Sequence, residues 1–65
     1  MAGYVIYLLD SYGRFRPTTL RAADLAEAKR TADWAAGAYR TTSRVIDRAG
    51  RIVYQACGGY RGRGR

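Results

Sequence analysis

The residues able to do chemistry in this 65-residue chain are cations and aromatics. Twelve Lys and Arg, all but one of them Arg, stand against five acids for a formal charge of +7, and six Tyr, one Trp and one Phe are spread among them. Guanidinium groups suit bidentate contact with phosphate, and aromatic rings offer flat surfaces to unstacked bases. Such an excess attracts polyanions, although a GC-rich genome produces the same preference for Arg. Other chemistry is poorly supplied. With no His and a single Cys, Cys57, there is no internal disulfide and no Cys or His metal set, so neither a metal nor any other cofactor is expected. Cys57 reads as a small hydrophobe ending the last strand. No Walker pattern, no Gly-x-Gly-x-x-Gly and no suitably spaced acid pair occurs, so the chain is not expected to be an enzyme or to take a small-molecule substrate.

The elements that must position these groups are announced by a repeated phrase. Leu8 to Phe15, "LLDSYGRF", returns in outline at residues 45 to 52 as "VIDRAGRI". Asp, two residues and Gly between apolar runs suit a type I turn closed by a left-handed Gly bulge. The strands flanking Gly13 are then "GYVIYLL" and "RFRPTTL", and those flanking Gly50 are "TSRVID" and "RIVYQA", with Asp10 facing Arg14 and Asp47 facing Arg51 as cross-strand ion pairs. Between the hairpins, Asp24 followed three residues later by Glu27 has the form of a capping box, which predicts a helix from near Leu25 to near Arg40. Leu25, Trp34 and Tyr39 are expected to anchor it, because the rest of its apolar side is mostly Ala. Pro17 points to an edge position for the second strand, and the apolar first strand to a central one. The fold class is therefore α+β, ββαββ, with one amphipathic helix on one face of an antiparallel sheet built from two hairpins. Residues 1–57 form the single domain, and 58–65 a flexible Gly/Arg-rich tail.

Alternation assigns side chains to the two faces of that sheet. The expectation is that Val5, Tyr7, Leu9, Phe15, Pro17 and Thr19, with Arg44, Ile46, Ile52 and Tyr54, lie beneath the helix. Tyr4, Ile6, Leu8, Arg14, Arg16, Thr18, Val45, Asp47, Arg51, Val53 and Gln55 would then stay uncovered. An uncovered face this apolar is expected to meet another molecule.

Two resemblances bear on function. "GYVIYLL" resembles the opening strand of GIY-YIG nucleases, but the second Tyr-[Ile/Val]-Gly element is missing and the only Glu is Glu27, so no catalytic residue carries across. The order of hairpin, Ala-rich helix and hairpin over residues 3 to 56 is similar to the small uncharacterised ββαββ proteins of actinobacteria and their phages. That likeness implies a small accessory or phage-encoded protein and transfers no site residue. The tail "YRGRGR" resembles the Arg-Gly segments of RNA-binding proteins. The expected function is a small basic binding module that contacts nucleic acid through Arg14, Arg16, Arg51, Arg61, Arg63 and Arg65, with Tyr4 and Tyr60 as stacking partners. The alternative is a module docking on a host protein through Ile6, Leu8, Val45, Val53 and Trp34. Self-association into a homodimer is also expected. With no apolar run near the ~20 residues of a membrane span and no signal-peptide pattern, no membrane partner is expected and the cytoplasm, a host's if phage-encoded, is the expected location.

Overall fold

The computed structural model describes residues 3–58. Its elements are β1 (Tyr4–Leu9), β2 (Phe15–Ala22), α1 (Leu25–Tyr39), β3 (Thr42–Asp47) and β4 (Ile52–Cys57). The fold is α+β in the order ββαββ: four antiparallel strands ordered β2-β1-β3-β4, with the helix packed against the sheet. β1 is central and β2, which carries Pro17, lies at an edge. Since β1 pairs antiparallel with both neighbours, β2 and β3 run parallel on either side of it, and α1 is the crossover joining them. Among the described residues no helix is long and apolar enough to cross a membrane.

Both hairpins close by one device, which explains the repeated phrase. Gly13 and Gly50 have φ of 82° and 85°, a conformation that only Gly adopts without strain. The Gly13 N–H donates to the Asp10 carbonyl at 3.2 Å, and the Gly50 N–H to that of Asp47 at 3.0 Å. Each Asp also holds its turn through its side chain. Asp10 Oδ1 accepts the N–H groups of Tyr12 and Arg14 at 2.9 Å, and Asp47 Oδ1 those of Ala49 and Arg51, also at 2.9 Å. The ion pair of the second hairpin is the expected one, Arg51 Nε to Asp47 Oδ2 at 3.6 Å. In the first hairpin Arg14 meets the carboxylate only through its backbone, and Arg16 Nε takes Asp10 Oδ2 at 3.0 Å instead.

The helix begins at Asp24, whose Oδ1 accepts the Glu27 N–H at 2.7 Å, and closes at Arg40 in the left-handed conformation with φ 53°. The N–H groups of Arg40 and Thr41 both turn back to the Ala36 carbonyl. Its buried stripe consists of Ala28, Ala32, Ala35 and Ala36. Alanine methyls let the helix lie close to the strands, close enough for the fully buried Ser43 Oγ on β3 to donate to the Ala32 carbonyl at 2.7 Å.

Which sheet face meets this stripe is the reverse of the expectation. Ile6 and Val45 are fully buried against the alanines together with Ala22, and Tyr4, Leu8, Leu20, Leu25 and Tyr54 pack around them. Directly beneath a helix held at alanine distance there is room for small side chains only, which Ile6, Val45 and Ala22 supply, and the set that includes Tyr7 and Phe15 lies on the other face. Ile6 and Val45 are thus core residues and unavailable to a partner, Leu8 packs against the core, and Tyr4 is not free for stacking. Val53 occupies a bulge where β4 slips against Val45 and Ile46, and the slip places Tyr54 opposite Val45 on the helix side. Trp34 and Tyr39 do not anchor the helix, being 59% and 60% exposed. Trp34 stands about 200° around the helix from both Ala32 and Ala36, away from the sheet, and Tyr39 lies in the last turn.

Four stability outcomes follow from this structure. Gly37 is exposed and an added Cβ meets nothing within 4 Å, so Gly37→Ala raises unfolding free energy by about 1 kcal/mol in urea titration. Ala32→Leu forces the helix off the sheet and lowers stability by about 1–3 kcal/mol, whereas Trp34→Ala changes it by no more than about 0.5 kcal/mol. The backbone N–H of Arg14 holds the Asp10 carboxyl below its usual 3.8, aided by the Tyr12 N–H and Arg16, and that of Arg51 does the same for Asp47. A folded-state pKa lowered in this way stabilises the fold above the unfolded value and loses that contribution as pH falls through the folded one. Asp10→Asn with Asp47→Asn should therefore flatten the decline of stability below about pH 4, measured by denaturation across the acid range.

Candidate functional site

Among the described residues no element covers the sheet face turned away from α1. Register places Val5, Tyr7 and Leu9 of β1 there, opposite Ile46, Arg44 on β3 and, across the other seam, Arg21, Pro17 and Phe15 of β2. Gln55 and Cys57 join from β4. Arg44 spans the middle of this face. Its guanidinium carbon lies 3.8 Å from the centre of the Phe15 ring, and its Nε donates to Gln55 Oε1 at 2.8 Å. A guanidinium held over a ring keeps its charge while its hydration is reduced, which suits it to receive an anion or a second π-surface. Around this polar centre, Ile52 and Val53 are exposed, and Val5, Tyr7, Leu9 and Ile46 are only partly covered by their neighbours.

Charge is divided unevenly between the helix and the strands with their turns. From Asp24 to Arg40 three acids are matched by Lys29, Arg30 and Arg40, so the helix is neutral as a whole. The sheet and its turns carry Arg14, Arg16, Arg21, Arg44, Arg48 and Arg51 against only Asp10 and Asp47. Both of those carboxylates are committed to their own turns. Among the described residues no carboxylate stands on the uncovered face. Arg21 projects from β2 opposite Val5, where its Nη1 donates to the Thr18 carbonyl at 2.7 Å.

The cations singled out from sequence are not gathered at one place. Tyr4 pairs with Asp47 and Leu9 with Phe15, so the two hairpin turns lie at opposite ends of the sheet. Arg14 stands exposed at one end beside Arg16 and Tyr12, the three lining an open cleft. Arg16 faces Leu8 on the helix side and is tied to Asp10. Arg51 is tied to Asp47 at the far end, close to Arg48. Tyr60, Arg61, Arg63 and Arg65, and the flexible tail expected of them, lie outside the described residues. Sequence reasoning missed Tyr7, Phe15, Arg21 and Arg44. The signal for the last was present: under a helix, the Arg44 charge would have needed a buried partner that the alanine stripe cannot supply.

On the other side, the helix flank meets β4 through polar contacts. The Tyr54 hydroxyl donates to Asp33 Oδ1 at 2.7 Å, and Lys29 Nζ lies 5.5 Å from the centre of the Tyr54 ring. Comparison of the chain with protein-family models, with curated proteins and with solved structures gives no match.

The Asp33 carboxylate beside the Tyr54 hydroxyl raises the phenol pKa above 10.0, with desolvation acting in the same direction. The stabilisation from this bond is present below the unfolded value and is lost as pH rises through the folded one. In an ultraviolet titration Asp33→Asn should lower the pH at which Tyr54 ionises.

Proposed function

We propose that this protein is a non-catalytic module that binds single-stranded nucleic acid on the uncovered face of its sheet. Bases stack on Tyr7 and Phe15, and phosphates meet Arg44, Arg21 and Arg14. The observation that carries this reading is the coincidence, among the described residues, of aromatic rings, an arginine over a ring and no carboxylate on one face, while the helix itself is charge-balanced. Flat sheets with aromatic and cationic side chains suit unstacked bases, whereas a duplex offers only its backbone and groove edges to such a surface. Arg61, Arg63 and Arg65 add a second set of cations to the same chain.

A second reading, docking on a protein partner such as a phage host's, is favoured by Trp34 and Tyr39. Both are more than half exposed on the helix and meet edge to face with ring centres 6.3 Å apart. Trp is the residue type most often central to protein interfaces. Under that reading Trp34→Ala abolishes association that survives nuclease treatment, and Arg44→Ala does not.

Fluorescence anisotropy with a labelled single-stranded oligonucleotide tests the first reading. Tyr7→Ala and Phe15→Ala each weaken binding by about 1–3 kcal/mol. Arg44→Ala lowers the slope of log K against log salt by about 0.7, and removal of Arg61, Arg63 and Arg65 lowers it by about 2. Binding that does not vary with salt, or that is indifferent to Arg44 and Tyr7, would exclude this face as the site.

A further inference from the structure

Among the described residues the two edges of the sheet are unequally protected. β2 carries Pro17, which has no N–H to offer a neighbouring strand, a register break between Pro17 and Arg21, and a charge on either side of these in Arg16 and Arg21. These are the features by which edge strands resist pairing with another chain. β4 has only the bulge at Val53, and from Tyr54 to Cys57 its register with β3 is regular. No Pro and no charged residue occurs between Ile52 and Gly58. In a chain of charge +7, this neutral strip is a place where two copies can approach without setting cation against cation.

We propose that β4 pairs antiparallel with β4 of a second copy about a twofold axis, giving an eight-stranded sheet. With Gln55 facing its counterpart, alternating side chains keep their sides, so both helices lie on one face and the two uncovered faces join into one. Pairing of β4 with β2 of another copy would instead leave an edge free at each step and polymerise, and Pro17 with the β2 register break opposes it. The seam is short, so association is weak, and because it works against the net charge it strengthens as salt rises. The salt dependence is opposite in sign to that of nucleic-acid binding, and the pairing stands whether or not the uncovered face binds nucleic acid.

The test is sedimentation velocity of the nuclease-treated full chain over a concentration series at low and high salt, together with hydrogen exchange at two protein concentrations. The expected result is a monomer–dimer equilibrium that shifts to dimer with salt, abolished by Val53→Lys and retained by Thr19→Lys, which adds the same charge to β2. Amides of β4 gain protection with concentration, while those of β2 do not. A monomer at every concentration, a dimer indifferent to Val53→Lys, or protection that appears on β2 would overturn the proposal. If Val53→Lys does not fold, the exchange pattern of the unmodified chain decides.

Discussion

The contact on which the rest of the structure depends is the close approach of an alanine stripe to the sheet. Four methyl-bearing residues, Ala28, Ala32, Ala35 and Ala36, form the buried side of α1, and Ser43 reaches from β3 to the helix backbone at Ala32. A separation this small leaves room only for small side chains directly beneath the stripe, so Ile6, Val45 and Ala22 lie there, and Tyr4, Leu8 and Tyr54 pack around them. Trp34 and Tyr39 go to the outer side and the end of the helix, and Tyr7 and Phe15 to the opposite face of the sheet. The arrangement gives little buried area. The largest fully buried side chains are Ile6, Val45 and Ser43, a small core even for a chain of this length.

Local chemistry made much of the fold legible in the sequence. The Asp-x-x-Gly turns, the N-cap at Asp24, the helix bounds and the edge position of Pro17 each depend on residues within a few positions of one another. The choice of face was not legible in the same way, because both alternating sets on β1 are apolar: Tyr4, Ile6 and Leu8 on one side, Val5, Tyr7 and Leu9 on the other. When both sets can be buried, alternation says which residues stay together but not which set the helix covers. The deciding information lay in the helix, whose alanines select small partners, and in Arg44, whose charge has no place in such a core. The bulge at Val53 added a local exception, carrying Tyr54 to the helix side with Val45. The candidate site inherited the same inversion. Alternation alone puts Arg44 and Tyr7 on the covered side, while Arg14, Arg16 and Arg51 stand at or beside the turns, two of them bound to the aspartates that build those turns.

The same inversion separates the work of the two sides. Acids and bases balance along the helix, where Asp33 ties the flank to Tyr54, while the sheet and its turns carry the excess positive charge of residues 3–58. Arginine is tolerated on the uncovered face because Phe15 and Gln55 occupy its guanidinium without neutralising it. A folded scaffold and a cationic surface are thus combined in one sheet, each using alternate residues of the same strands.

The strand order has a kinetic consequence. Each hairpin is closed by a turn of a few residues, but the middle seam joins β1 to β3 and brings together residues as distant as Tyr4 and Asp47. Loop-closure entropy is therefore concentrated in the centre of the sheet rather than at its margins. Parting that seam leaves two isolated hairpins, and a lone two-stranded hairpin is marginal in water. Neither half has the means to outlast the other, so the chain should unfold in one cooperative step with no populated half-folded species.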